Sequence, residues 1–439
     1  MKKLLIITYY WPPSGGSGVQ RWFKFVKYLT KKNFYCLVYT PENPEMPVID
    51  PSFEKDIPTQ NFECIKTKIF EPYSFYRLFT GRSSKERITV AFLSETKTST
   101  GFREKVSKWI RSNLFIPDAR MFWIRPSLRF LSNYLKTQSV DAMISTGPPH
   151  SMHLIAYGLK KKFPNIPWIA DFRDPWSTIY FFNHLNLTSW ALQQHKKLER
   201  QVVQQADVIL SVSPVITEEL KRLDASHPEK FYTLTNGFDK DDFPAPETSN
   251  DTMSCTITYA GLIPPNQNPR VLWQAIKELN ANHLLPSSFK VQLIGKADVC
   301  VWEDIQKYGI SSFVVKTDYL PHSEVLKREQ ESGALLLVVY NAPNNKGIVT
   351  GKLFEYLALQ KPILAIGPTD GEAAKIIHNC SAGIMVEYDD VEGMKQALLN
   401  FLNHKLPSPK LSDVQQYSRE ALTDALIDIL NKIMRNNSE

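Results

Sequence analysis

Short apolar runs recur along the chain, separated by stretches in which apolar positions return every three or four residues. In the first half the runs Lys3–Thr8, Tyr35–Tyr39, Ala142–Ser145, Trp168–Ala170, Val208–Val212 and Tyr232–Leu234 predict strands. Val19–Lys31, Met152–Lys162, Trp190–Gln205 and Val215–Leu223 predict the helices among them. The second half repeats the pattern. Strands are predicted at Thr256–Tyr259, Lys290–Ile294, Phe313–Lys316, Leu335–Tyr340, Ile363–Ile366 and Gly383–Val386. Helices are predicted at Val271–Leu279, His322–Gln330, Gly351–Leu359, Glu372–Ile377 and Val391–Leu402. Near-continuous apolar strands alternating with helices imply a parallel sheet covered on both faces. Each half therefore reads as a doubly wound, Rossmann-like α/β domain.

A chain of 439 residues is also too long for one ordinary core. The expected division is a first domain over residues 1–240, a linker over 241–254, a second domain over 255–411, and a helical segment over 412–439 that packs back on the first domain. The linker prediction rests on DKDDFPAPETSNDT (239–252), which is acidic, carries two prolines and lacks apolar periodicity.

Composition adds little until it is localised. With 43% hydrophobic and 22% charged residues the chain reads as a globular protein. Its net charge of +7 is contained in one region, because residues 61–130 hold 14 Lys/Arg against 6 Asp/Glu. That region interleaves Tyr73, Phe75, Tyr76, Phe79, Trp109, Phe115, Phe122 and Trp123 with Arg77, Arg82, Lys105, Lys108, Arg111, Arg125 and Arg129. Val106, Trp109 and Ile110 fall on one side of a predicted helix over Phe102–Leu114. Such a mixture suits an anionic membrane surface or a solvated basic insertion, and no nucleic-acid motif accompanies it. The five cysteines form no CxxC pair, which points to reduced thiols rather than zinc or disulfides. The run Leu4–Ile7 is too short for a signal peptide, and no run reaches the ~20 apolar residues that span a bilayer. A cytoplasmic protein is expected.

Ligands of open parallel sheets bind beyond the carboxyl ends of the strands, so chemistry is sought just after strands. TYYWPPSGGSGVQRW (8–22) follows the first strand, and Gly15, Gly16 and Gly18 permit close approach to backbone amides at a helix start. GGSGVQ is not a G-x-G-x-x-G fingerprint. After the strand at 168–170, ADFRDPW places Asp171, Arg173 and Asp174 together, a set able to grip sugar hydroxyls or exchange protons. STGPPH brings His150 to a helix start, with His153 beyond it. TGKLFEY (350–356) opens a helix, where Thr350 and Gly351 leave amides free, Lys352 adds a cation and Glu355 an acceptor for a ribose diol, and Leu353 is counted with them as donor-binding. Each segment also has a purely structural reading as a turn, a salt-bridged corner or a packed helix. Asp239-Lys-Asp241 matches a metal-binding D-x-D pattern but lies in linker composition, and no metal site is expected.

In combination these segments resemble the GT-B glycosyltransferases, most of all the family-four retaining type of bacterial surface-polysaccharide pathways. DFRDPW (171–176), SVSPVITEEL (211–220), TNGFD (235–239), YAGLI (259–263) and KLFEYLA (352–358) carry the resemblance over nearly the whole chain. It implies transfer of a sugar from a nucleotide diphosphate sugar, a co-substrate rather than a cofactor, without a metal. The donor would lie on the second domain and a glycan or lipid-linked acceptor on the first, across a cleft. Gly15, Gly16 and Gly18 would meet donor phosphates or acceptor, and Glu355 would match the second glutamate of the E-x7-E motif, which holds the ribose. The chain departs from the pattern at three places. The first glutamate falls at Gly347, the arginine after YAG is Leu262, and the lysine six residues on is Asn268. Lys352 and Arg270 are the replacements expected to neutralise the diphosphate. The histidine usual after the fourth-strand region is replaced by Arg173, which makes Asp171, Arg173, Asp174 and His150 the catalytic candidates. A lipid-linked acceptor would place the protein at the inner membrane face through residues 61–130. A non-catalytic nucleotide-sugar-binding module and a sugar-nucleotide epimerase are the other readings.

Overall fold

The computed structural model describes residues 1–46, 49–71, 102–179, 182, 185–243 and 254–436. It divides into two compact units, Met1–Thr235 with Leu422–Glu439, and Asn236–Ala421. The expected membrane-facing residues Tyr73, Phe75, Tyr76, Arg77, Phe79 and Arg82, and most of the expected linker, lie outside the described residues.

The first unit is a seven-stranded parallel sheet in the order β3-β2-β1-β4-β5-β6-β7. Its strands are β1 Lys2–Ile7, β2 Phe34–Pro41, β3 Phe62–Thr67, β4 Ala142–Gly147, β5 Trp168–Phe172, β6 Val208–Ser211 and β7 Phe231–Thr233. Its helices are α1 Ser17–Lys31, α2 Phe102–Leu114, α3 Met121–Thr137, α4 Ser151–Lys162, α5 Ser189–Gln205 and α6 Pro214–Lys221. Alternate residues of one strand feed opposite cores, as strand geometry requires. Leu5 and Ile7 pack with Leu131, Ile155, Leu159 and Val202 beneath α3, α4 and α5. Leu4 and Ile6 pack with Trp22, Phe23 and Val26 of α1.

The second unit repeats the plan as a six-stranded sheet in the order β10-β9-β8-β11-β12-β13. The strands are β8 Thr256–Ala260, β9 Lys290–Ile294, β10 Val314–Thr317, β11 Ala334–Val338, β12 Ile363–Ile366 and β13 Gly383–Val386. The helices are α7 Arg270–Ala281, α8 Val299–Lys307, α9 His322–Gln330, α10 Gly351–Ala358, α11 Glu372–Asn379 and α12 Val391–Leu402. Leu336 and Val338 face the core under α7 and α12, while Leu335 and Leu337 face that under α10 and α11. The last helix, α13 Arg419–Asn436, belongs to the first unit from Leu422 onward. Its Leu422, Leu426, Ile429, Leu430 and Ile433 complete the core that α1 begins.

Three elements escape the apolar pattern. β3 is an edge strand, FECIKT, only half-buried and broken by Glu63 and Lys66. α3 carries Pro126 at its sixth position, past the first turn, where proline has no amide to donate to the preceding turn. α8 begins Val299-Cys300-Val301-Trp302, which reads as a strand until Asp298 caps it by accepting from the Cys300 amide at 3.0 Å.

Candidate functional site

In each sheet the chain leaves the first and fourth strands of the unit in opposite directions, so a crevice opens at their carboxyl ends. In the first unit this point lies between β1 and β4. Helix α1 opens at Ser17 with no side-chain cap, and Gly16 has φ of 90°, a value that favours glycine. A Cβ on Gly16 would meet nothing within 4 Å, whereas one on Gly18 would lie 3.1 Å from Arg173 Nη1 and 3.2 Å from Tyr10 Cδ2. Gly15 is buried. Of the three glycines, Gly16 faces open space and Gly18 makes room for the protein's own arginine.

That arginine is a clamp. Its Nη1 donates to Gly18 O at 2.7 Å, its Nη2 to Pro148 O and its backbone amide to Gly147 O at 2.9 Å. Arg173 thus ties the glycine loop to the loop after β4. Asp171 is fully buried and accepts from Arg21 Nη2 at 2.8 Å, Trp22 Nε1 at 2.7 Å and Thr146 Oγ1 at 2.8 Å. Burial alone would raise its pKa; Arg21 and these hydrogen bonds outweigh it and hold the carboxyl below its ordinary value. Asp174, on the same loop, is exposed.

His150 and His153 are buried against aromatic faces. His150 stacks on Trp176 at 4.4 Å and 2° between ring planes, and His153 on Phe172 at 4.6 Å. His153 Nδ1 shares a 2.8 Å hydrogen bond with Ser145 Oγ, while His153 Nε2 and His150 Nδ1 have no partner among the described residues. Both free nitrogens face Gly147, where an added Cβ would approach them to 2.6 and 3.0 Å. Burial drives both pKa values down, that of His153 to about 3, so both rings are neutral near pH 7.

The corresponding point of the second unit lies between β8 and β11, and its charges are arranged differently. Lys352, at the second position of α10, places Nζ 3.9 Å from the centroid of the Tyr259 ring at the end of β8. Gly261, with φ of 127°, makes that possible, since a Cβ there would fall 2.6 Å from Nζ. Glu355, one turn along α10, has Oε1 4.0 Å from His322 Nε2. From α9 comes Glu329, 2% exposed, whose Oε2 has no hydrogen-bond partner among the described residues. Burial pushes Glu329 up to about 8, with Glu355 adding to the rise and Lys352 opposing it. Burial likewise pushes Lys352 down to about 8 against the pull of Glu355 and Glu329. Glu355 is raised by burial, with His322 and Lys352 opposing and Asp242 adding.

The remaining expected residues separate. Thr350 is the N-cap of α10, yet its buried Oγ1 has no partner among the described residues and does not cap the helix. A Cβ on Gly351 would meet open space. Leu353, expected among the donor-binding residues, instead fills the core with Phe354 and Leu357, and its amide donates to Thr350 O at 3.2 Å. Arg270 is exposed and paired with Asp304, Nε to Oδ2 at 2.8 Å. Asp239 of the D-x-D segment accepts from the Asp241 amide at 3.2 Å, as a turn cap does. Sequence reasoning missed Glu329 altogether. A glutamate in a polar helix such as HSEVLKREQ carries no pattern that separates it from its solvated neighbours.

In the basic region, Trp123 is not a surface aromatic. It is fully buried, stacks on Tyr39 at 4.9 Å and donates to Thr67 Oγ1 at 3.1 Å. Trp109, Ile110, Leu114 and Phe122 are exposed, as are Arg125 and Arg129. No helix among the described residues is long and apolar enough to cross a membrane.

No protein-family model matches the chain, and no curated protein matches its sequence. Solved structures do match it in fold. The chain is similar to a sucrose-phosphate synthase from Thermosynechococcus elongatus at TM-score 0.60 and 11% identity, with 99% of this chain and 100% of that one covered. It is similar to an α,α-trehalose-phosphate synthase (UDP-forming) from Burkholderia vietnamiensis at TM-score 0.62 and 9% identity, covering 99% and 100%. A third match is Anabaena HepE in complex with UDP and glucose, at TM-score 0.56 and 11% identity, covering 98% and 100%. At such identities the likeness defines the fold, two Rossmann-like units of the GT-B glycosyltransferase type.

Proposed function

We propose that the chain is a glycosyltransferase that moves a sugar from a nucleoside diphosphate sugar to an acceptor, with the donor held on the second unit. The observation that carries this reading is Lys352. A half-buried amine lies at the start of α10, beyond the end of β8, with no carboxylate in hydrogen-bond contact among the described residues. An anion arriving there meets this cation together with the amides at the opening of the helix. Glu355, a turn further on, accepts hydrogen bonds from the ribose diol. As the bond to the sugar breaks, negative charge grows on the leaving diphosphate. Groups already aimed at that charge supply the largest catalytic contribution. Lys352 fills this place where Leu262 and Asn268 leave the familiar cations absent, and the reading includes retention at the sugar and no metal ion.

The first unit takes the acceptor. Asp174, on the loop after β5, offers an exposed carboxylate, while Asp171 and Arg173 hold the loops around it. The exposed Trp109, Ile110, Leu114 and Phe122, with Arg125 and Arg129 nearby, favour a lipid-linked acceptor reached from the cytoplasmic face of an anionic membrane. HepE, a match in fold, is described with UDP and glucose, so UDP-sugars are the first donors to try.

Thermal-shift measurements across UDP-, GDP- and ADP-sugars test the donor site, and a nucleotide sugar in excess should raise the melting temperature. Turnover of that donor then tests Lys352. Lys352→Ala should lower turnover by roughly 10²–10³-fold, the scale of losing a donor to developing charge, with melting little changed. Near-normal turnover in that variant removes Lys352 from the leaving-group role.

A further inference from the structure

The first unit's buried charges are matched to donors, whereas one carboxylate of the second unit is not. Glu329 is 2% exposed, its Oε2 meets no hydrogen-bond donor among the described residues, and it lies within electrostatic reach of Lys352 and Glu355. A buried carboxyl without donors is costly as an anion and much less so as an acid. The cation that acts on it, Lys352, has its own amine over the Tyr259 ring rather than on a carboxylate. We propose that Glu329 is a hidden member of the anion site: from α9 it shares a proton with Lys352 and so sets the charge offered to a nucleoside diphosphate. This rests on the reading of the second unit as the donor site.

The consequence follows from counting protons. With both groups protonated, the pair carries one positive charge. Losing one proton leaves it neutral, whether as carboxylate with ammonium or as acid with amine. Losing the second leaves it negative. A diphosphate favours the first state, so its binding holds protons on the pair and takes them up where they had left. The surrounding groups shift this balance without replacing it. Glu355 on α10 disfavours negative charge on Glu329, as does Asp242 on Glu355, while His322 on α9 favours it on Glu355. Tyr259 and Tyr356, the phenols nearest the pair, have their pKa values raised by burial and stay neutral. The two members of the pair titrate near pH 8, where burial brings both together from opposite directions. Positioning, rather than contact with the substrate, is the part assigned to Glu329.

Calorimetric titration of the full chain with UDP, from about pH 6.5 to about pH 9.5, tests the proposal. In the unaltered protein the Kd should weaken by up to about tenfold per pH unit above about pH 8, and buffers of different ionisation heat should reveal proton uptake. Glu329→Gln keeps the shape of the protonated acid and cannot ionise. It should bind UDP as the parent does near pH 6.5 and roughly 3–10-fold more tightly near pH 9, with the pH of weakening moved upward. A melting curve no lower than the parent's confirms that the variant is folded. Superimposable pH profiles, weaker binding by the variant at every pH, or binding without proton uptake would each overturn the proposal and leave the donor site standing. If neither UDP, GDP nor ADP binds the unaltered chain, the donor reading falls and this inference with it.

Discussion

The two units place the same topological feature before a ligand, the carboxyl ends of the first and fourth strands, yet they furnish it in opposite ways. In the first unit the buried charges are satisfied from within. Asp171 takes hydrogen bonds from Arg21, Trp22 and Thr146, and Arg173 spends its guanidinium on the carbonyls of Gly18 and Pro148. At the corresponding place in the second unit two charges stay short of partners among the described residues. Glu329 Oε2 has none, and Lys352 lies over a ring. Charge matched by the fold stabilises the fold, whereas charge left short of a partner raises the free energy of the empty site and lowers it when a ligand supplies one. On that ground the first unit's set reads as a scaffold, and the second unit's set suits the binding role proposed for it.

The strongest way to break this comparison is to remove the brace of the first unit. Asp171→Ala takes away the carboxylate facing a buried guanidinium and should destabilise the protein by about 3–5 kcal/mol, read as a fall in the urea midpoint. Little change in stability would mean that the network is not a brace. The next test concerns Glu329. Its folded pKa is raised, so its contribution is full below the unfolded value near 4.3 and is lost as pH rises through about 8. Glu329→Gln has no such loss, so its stability advantage should open between about pH 5 and about pH 8 and reach at most a few kcal/mol. A gap that stays constant with pH would show that folding does not raise the pKa of Glu329. The smallest effect is expected at the rim. Arg270→Ala breaks an exposed ion pair with Asp304, worth about 0.2–1 kcal/mol, and should leave melting nearly unchanged. Loss of donor affinity without loss of stability would bring Arg270 back into the site.

Much of this architecture was legible in the sequence. The strands of both sheets were visible as apolar runs except β3, whose Glu63 and Lys66 suit an edge. The helices that failed the pattern did so for local reasons, an internal Pro126 in α3 and the strand-like opening of α8. Candidate site residues stood out in the segments that follow strands, Gly16, Arg173 and His150 in loops and Lys352 at the start of α10. Their assignments were harder to read. Leu353 looked like part of a ligand-binding helix start and proved to be core, and Trp123 looked like surface and proved to be buried against Tyr39. In a helix the side that a residue faces depends on what packs against it, and the sequence does not display that.

The chain by itself determined the alternation of strands and helices, and with it two doubly wound sheets, because burial on both faces demands apolar runs of that length and spacing. It also determined that glycines and charged residues follow the strands, where open backbone and solvent access permit them. Only the tertiary structure decided which charges are spent and which are left. Asp171 and Arg21 are 150 residues apart in sequence and 2.8 Å apart in space. Glu329 and Lys352 lie on different helices and become one titrating pair only when both are buried together. Electrostatic partnership is a matter of distance and dielectric, and neither exists until the chain has folded.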